Sequence, residues 1–433
     1  MLERAGLHRP ELRAWAMYDW ANSAFYTTIV AAVFPIYYQR VAAATLPPAE
    51  ATERFAWATA LAVTMVALVT PLLGAIADQA GTKKKMLAAF LGLGVIATGA
   101  MALVERGDWL LALALFVAGN IGVAGSLVFY ESLLPHIAAG PELDRVSAAG
   151  YALGYLGGGL LLALNLAAIR RPDLLGLPDT QAAARLSFAS VAVWWLLFSL
   201  PLFRRVPEPP HAAGDPAAGA WIGVAFRRLG RTFRDIRRYR HAFWFLLAFF
   251  VYNDGIQTII RMAAIYGAEI GLRDDAMIAA LLMTQFVGVP CALAFGLLAR
   301  QTGPKAAVLG GLAVYVVVTL RAYGMRTEEQ FFALAILVGM VQGGTQALSR
   351  SLFASMIPRH KSAEFFAFFG AVERYAGVLG PMLFGILVAQ TGSSRQAILS
   401  VLAFFVVGGA MLAFVDVGAG RRAAREEEAR AGG

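Results

Sequence analysis

Twelve apolar stretches, each about as long as a bilayer is thick, leave this chain few folds to adopt. They lie near residues 14–38, 55–77, 86–104, 109–134, 146–169, 186–203, 241–262, 276–299, 305–323, 330–356, 364–390 and 396–416. The pattern also runs through the chain twice. Gly74, Asp78, Gly81, Thr82 and Lys83–Lys85 follow the second stretch, and Gly296, Arg300, Gly303, Pro304 and Lys305 follow the eighth, 222 residues later. Gly150, Tyr155 and Gly157 recur 220 residues on as Gly370, Tyr375 and Gly377. Such duplication predicts an all-α integral membrane protein of twelve transmembrane helices in two pseudo-symmetric six-helix bundles, with a solute site between them.

Composition agrees. With 59% hydrophobic and 15% charged residues and a mean hydropathy of +0.63, the chain has too little polar surface for an ordinary soluble protein. The first stretch carries Asp19, Asn22 and a run of aromatics, so it reads as a working helix and not a cleaved signal. Cys291 is the sole cysteine, which rules out an intrachain disulfide and argues against structural zinc. Net charge is +9, and its placement says more than its size: roughly 24 Lys/Arg fall on the side of both termini and the central loop, about 11 on the other. This predicts an inner-membrane protein with both termini cytoplasmic.

The expected organisation is an N-terminal bundle over 1–203, a cytoplasmic linker over 204–240, a C-terminal bundle over 241–420 and a disordered tail over 421–433. Within the linker, Trp221, Val224, Ala225 and Leu229 alternate with Arg227, Arg228, Arg231 and Arg234, the pattern of a basic amphipathic helix on the membrane face. Orientation alone requires such arginines, so a nucleic-acid role is not expected.

Polar residues inside apolar spans are costly and mark the faces that line a wet path or pair with one another. They concentrate on every third span: Asp19, Asn22 and Tyr26 on the first, Asn120 and Glu131 on the fourth, Asn253, Asp254, Gln257 and Arg261 on the seventh, and Gln342, Gln346, Ser349 and Arg350 on the tenth. Spans 3, 6, 9 and 12 have almost none and are expected to face lipid. In span 10 the polar positions form one helical stripe, while Gly343, Gly344 and Ala347 lie off it and permit close packing. Candidate substrate-binding residues are Asn22, Tyr26, Asn253, Gln257, Gln342, Gln346, Arg350 and Arg374, the guanidinium groups suiting a carboxylate or phosphate. Candidate proton-coupling or gating residues are Asp19, Asp254, Glu131 and Glu373. Glu131 and Arg350 occupy matching places 219 residues apart, and two roles stay open for them: an inner gate between the halves, or direct binding of substrate or proton. Gly74, Asp78, Gly81, Lys83 and Lys84 form a candidate conformational latch, in which Asp78 is expected at the N-terminus of a neighbouring helix such as span 11.

At these residues the chain resembles a known family. The Gly74 to Lys85 loop is similar to the signature loop between helices 2 and 3 of the major facilitator superfamily. Trp15–Ser23, Tyr252–Thr258 and Gln342–Ser351 resemble its vacuole-effluxer-like branch, related to the yeast autophagy-related vacuolar amino-acid permease. The resemblance implies alternating access and export of amino acids; Arg300 stands where Asp78 stands in the first copy, so only the first loop is expected to act as a latch.

The function expected is secondary active or facilitative export of small polar solutes, neutral amino acids foremost, with proton coupling. Transport of sugars or organic anions is the alternative, as is a non-transporting sensor or scaffold acting through residues 221–240. An enzyme is not expected, since no metal-ligand cluster, nucleophile with a histidine partner or phosphate loop is legible. No cofactor or metal is expected; the expected partners are a small-molecule substrate, the lipid bilayer and protons, around a monomer.

Overall fold

The computed structural model describes residues 6–47, 81–209, 239–269, 274–377, 379–391 and 394–431, with scattered positions between 50 and 77. Every regular element among them is helical. Helix α1 (Pro10–Ala24) begins on a proline whose fixed φ suits a first turn, and continues through π-helical turns Phe25–Ala32, a short α segment Val33–Tyr37 and a second π segment Tyr38–Ala42. The widened turns coincide with Thr27, whose hydroxyl donates to Ser23 O and to Gly158 O on another helix, both at 3.1 Å. The rest of the N-terminal half is α2 (Lys83–Ala100), α3 (Trp109–Ile137), α4 (Pro141–Arg170) and α5 (Thr180–Arg205). The C-terminal half is α6 (Arg240–Glu269), α7 (Asp274–Thr302), α8 (Pro304–Tyr323), α9 (Glu328–Ser355), α10 (Ser362–Tyr375), α11 (Leu379–Thr391), α12 (Val401–Phe414) and α13 (Val417–Ala431).

Nine helices among the described residues are long and apolar enough to cross a membrane. Three expected spans are not in that set, each for its own reason. The second lies mostly outside the described residues, the first is interrupted by π turns, and the eleventh is broken. Span 11, expected as one helix over 364–390, is two helices meeting at Ala376–Gly377. Gly377 takes φ +92°, a conformation that a side-chain-bearing residue adopts only with strain, and Pro381 stands near the start of α11, where its missing N–H costs nothing.

Helices expected to face lipid carry exposed apolar side chains. Ile96 on α2 is 72% exposed, Val193 on α5 64%, Leu320 on α8 52% and Val406 on α12 55%. Inside the N-terminal half, α2 and α3 approach so closely at Gly94 and Gly122 that any side chain on Gly122 would strike the Gly94 backbone. Side chains cap helix starts: Asp179 accepts Ala182 N–H at 2.7 Å ahead of α5, and Thr327 accepts Gln330 N–H at 3.3 Å ahead of α9.

The tail differs from expectation. Residues 421–431, expected to be disordered, belong to α13. Low apolar content argued for disorder, but docking supplies what composition lacks. Glu428 accepts Arg359 N–H at 2.8 Å, Glu427 lies 3.6 Å from Lys361 Nζ, Arg421 Nε donates to Ser355 Oγ at 3.1 Å, and Gly420 packs on Met356. The amphipathic segment expected over 221–240 lies, apart from Tyr239 and Arg240, outside the described residues.

Candidate functional site

The halves meet at the end of the bundle that carries the Gly74 to Lys85 loop. At its centre is Arg350 of α9, 1% exposed and turned toward three helices of the other half. Its Nη2 lies 3.0 Å from Asp19 Oδ2 and its Nη1 3.4 Å from Asp19 Oδ1, the two-pronged geometry that a guanidinium offers a carboxylate. Nε donates to Ser147 Oγ at 2.9 Å and Nη2 to Ser147 O at 3.0 Å. Glu131 Oε1 is 4.0 Å from Nη1. Three rings complete the enclosure, with centroids 4.8 Å (Trp15), 4.5 Å (Tyr151) and 5.9 Å (Tyr130) from the guanidinium carbon. Of the two roles left open for Glu131 and Arg350, the pairing places them 4.0 Å apart, and Asp19 is the closer partner.

Charge burial here is matched on every side, which an isolated buried cation would not survive. Gly150 provides the space: a Cβ there would meet Asp19 Oδ2, with Arg350 Nη2 at 3.0 Å and Trp15 at 3.2 Å. Ser147 Oγ also donates to Ala347 O at 2.7 Å, and next to this centre Ser351 Oγ donates to Asp144 Oδ1 at 2.5 Å. Each bond joins one half to the other.

Closer to the loop a second set of contacts seals the same end. Lys83 Nζ donates to Ser362 Oγ at 2.7 Å and lies 3.0 Å from His136 Nε2; Ser362 Oγ donates to Ser132 O at 2.9 Å. Gly74 sits against the start of α10 so tightly that a Cβ would lie 2.6 Å from Ala363 O. Of the residues expected to form a latch, Gly74 and Lys83 contact the opposite half, and Gly81 takes φ +61° at the turn into α2. Asp78 lies outside the described residues. Lys84 does not face solvent as a free cation; its Nζ donates to Phe203 O and Val206 O at the end of α5, at 2.9 and 2.6 Å.

Farther along the bundle the polar residues are less enclosed. Tyr26 is 36% exposed, and Gln257, Gln342, Gln346 and Glu373 are half-buried. Gln342 hydrogen-bonds Tyr155 of α4, so this stripe of α9 faces the other half. Gly343, off the stripe as expected, receives the Tyr155 ring, and Gly344 packs on Phe295. Asn22 is buried and donates to Tyr18 O at 2.9 Å. Asn253 is fully buried, and its side-chain amide has no hydrogen-bond partner among the described residues. The side chain of Arg374 lies outside them.

Asp254 has an engagement that its sequence position did not reveal. Its Oδ1 accepts the backbone N–H groups of Gly377, at 2.5 Å, and of Gly380, at 3.2 Å. The carboxylate therefore caps α11 across the break in span 11, where backbone donors would otherwise be buried unpaired. Residues that sequence reasoning missed are Trp15, Tyr130, Ser147, Tyr151 and Ser362. Ser147 and Tyr151 flank Gly150, a position the internal repeat had already marked.

A surface cavity of about 360 Å³ lies elsewhere, lined by Thr302, Lys305, Val417 and Arg421 among others. Lys305 is committed there to the carbonyls of Ala413 and Val415, at 2.7 and 2.8 Å, so the cavity adds no polar group to the inter-half path.

Known proteins share this architecture. The proton:xylose symporter XylE of the major facilitator superfamily, solved with 6-bromo-6-deoxy-D-glucose, superposes with a TM-score of 0.70 over 94% of this chain and 95% of its own, at 14% identity. The human organic anion transporter MFSD10 gives 0.65 over 93% and 99%, at 16% identity. An MFS-type transporter of Bacillus subtilis (strain 168), YxiO, is 36% identical over 93% of this chain and 94% of its own length. Autophagy-related protein 22-1 of Aspergillus niger is 25% identical over 64% of this chain and 48% of the fungal protein. The profile of the family described as vacuole effluxer Atg22 like matches residues 49–425. With that match, the bacterial relative covered over 94% of its length and the shared helical fold, the chain belongs to the vacuole effluxer Atg22-like family of MFS-type membrane transporters.

Proposed function

We propose that this protein moves a small polar solute across the cell membrane by alternating access, with the Arg350–Asp19 contact as its inner gate. One observation carries the reading: a buried, two-pronged ion pair joins the halves at one end of the bundle, while polar side chains of the stripe farther along are partly open. The halves also pack helix on helix, Ala148 and Tyr155 of α4 against Gly296 and Gly288 of α7, and the polar contacts at one end are the discrete part of that interface, which two arrangements can make or break. On this reading both termini and the sealed end face the cytoplasm, and the chain works as a monomer.

The solute class we favour is neutral amino acids, exported, with Asn22, Tyr26, Gln257, Gln342 and Gln346 contacting it, and Arg374 beside Glu373 as the candidate for its carboxylate. Proton coupling is assigned to Asp19, Glu131 and Glu373. Asp254 is the weaker candidate, because its carboxylate caps a helix. The test is counterflow in proteoliposomes with labelled neutral amino acids, organic anions and sugars, with and without a pH gradient. Saturable amino-acid exchange driven uphill by the gradient is the expected result. Exchange restricted to sugars or anions would overturn the substrate, and exchange indifferent to the gradient would overturn the coupling.

A further inference from the structure

We propose that the enclosure around Arg350 is a binding site for the guanidinium or ammonium group of a cationic ligand, which Arg350 occupies in the sealed state and vacates when that end opens. The inference rests on the alternating-access reading above.

Its walls are Trp15, Asp19, Tyr130, Glu131, Ser147 and Tyr151, all from α1, α3 and α4 of the N-terminal half. Arg350 comes from the other half. Two of these walls, Trp15 and Tyr130, are held by contacts that do not involve Arg350. The Trp15 and Tyr130 rings stack at 4.5 Å with 16° between planes, Trp15 Nε1 donates to Tyr130 O at 3.0 Å, and Tyr18 packs on Tyr130 at 4.7 Å. Separation of the halves therefore removes the occupant and leaves the stacked Trp15–Tyr130 wall, beside Asp19 and Glu131 on the same two helices, in the N-terminal half.

What is left has a definite chemistry. Two carboxylates and three ring faces line it, with a serine hydroxyl and a backbone carbonyl at its rim. With Arg350 gone, two like charges face a half-apolar recess with no cation between them. Such a recess takes up a cation, and aromatic faces prefer a weakly hydrated one of guanidinium or alkylammonium type to sodium. An anion has nothing to bind. The side chain of Arg350 is thus an internal copy of the ligand, and competition between the two would tie ligand binding to opening.

The experiment uses purified Arg350→Ala protein in detergent, titrated with guanidinium chloride at millimolar concentration and with sodium chloride as the ionic-strength control. Guanidinium is expected to raise the thermal midpoint where sodium does not. Adding Asp19→Asn is expected to abolish the effect, and adding Trp15→Leu to weaken apparent affinity by about tenfold. Guanidinium acting no differently from sodium would overturn the proposal. Should Arg350→Ala not fold, Ser147→Cys in a Cys291→Ser background gives a second measurement. Maleimide labelling of Cys at that position reports opening, and guanidinium or agmatine is expected to slow it several-fold; no protection would overturn the proposal. A wild-type protein that exchanges a solute while neither assay responds to guanidinium would remove this inference and leave the transport reading intact. Guanidinium binding without exchange of any solute would do the reverse.

Discussion

The two halves of this molecule derive from one repeated pattern, yet they bring different chemistry to their shared interface. Around Arg350 the N-terminal half contributes carboxylates and rings, Asp19, Glu131, Trp15, Tyr130 and Tyr151, and the C-terminal half contributes the guanidinium. The same asymmetry appears in the paired spans 5 and 11. Helix α4 runs unbroken through Gly150 and Gly157, whereas its counterpart is interrupted at Gly377 and tied to Asp254. Duplication fixes a scaffold, and divergence within it decides which half is rigid and which is jointed.

The sharpest way to break the comparison is to remove the cation. Arg350→Ala leaves Asp19 buried without its partner, a change that costs about 3–5 kcal/mol in a buried pair. We expect loss of counterflow to below about one hundredth of wild type and a lowered thermal midpoint. Arg350→Lys is not expected to restore transport, because an ammonium cannot hold both Asp19 oxygens and Ser147 at once. Wild-type rates in Arg350→Lys would mean that charge alone matters there.

The next largest effect belongs to the jointed span. Asp254→Ala strips an ionic acceptor from the Gly377 and Gly380 amides, and hydrogen bonds to charged groups contribute about 1.5–3 kcal/mol each. Hydrogen exchange across 376–381 is expected to accelerate by at least about tenfold, with Asp254→Asn intermediate because its amide oxygen still accepts. Unchanged exchange in Asp254→Ala would show that the break holds without its cap.

A smaller shift is expected from Gly74→Ala. The added methyl would stand 2.6 Å from Ala363 O, a backbone atom of the opposite half that moves only if the halves part. Overpacking of this kind costs about 1–3 kcal/mol, charged here to the sealed state alone. Thiol labelling of Ser362→Cys in a Cys291→Ser background should therefore speed up by about tenfold. Slower labelling would mean that the loop relaxes locally and the latch has slack.

Most of the fold was legible because apolar length and polar placement are one-dimensional signals. The apolar stretches and the polar stripes that carry Asp19, Glu131 and Arg350 follow from where charge sits along a span; that Asp19 and not Glu131 is the closer partner of Arg350 does not. Ring partners were not legible: Trp15, Tyr130 and Tyr151 read as ordinary apolar content until three helices bring them around one guanidinium. The break in span 11 was hidden for a similar reason. Ala376–Gly377 interrupts no hydropathy, and the carboxylate that makes the break tolerable is 123 residues away. The tail misled in the opposite direction, since its local composition favours disorder and its structure comes from docking on Arg359 and Lys361.

That docked tail gives the smallest and most exposed effect. Asp416 accepts Ala419 N–H at 2.9 Å ahead of α13, and this hydrogen bond holds its carboxyl below the usual range. A depressed folded-state value means that the cap's contribution is complete above the ordinary carboxylate range and fades as pH falls through the depressed value. Protection of the Ala419 amide is therefore expected to decline on acidification, with α12 unaffected. His241 also touches this turn, its Nδ1 accepting Asp416 N–H at 3.3 Å, so the measurement is made in Asp416→Asn and in His241→Gln. If the decline survives Asp416→Asn and vanishes in His241→Gln, the turn is governed by the imidazole. If it vanishes in Asp416→Asn alone, a single exposed cap sets the acid limit of a helix that the rest of the C-terminal half does not need in order to stand.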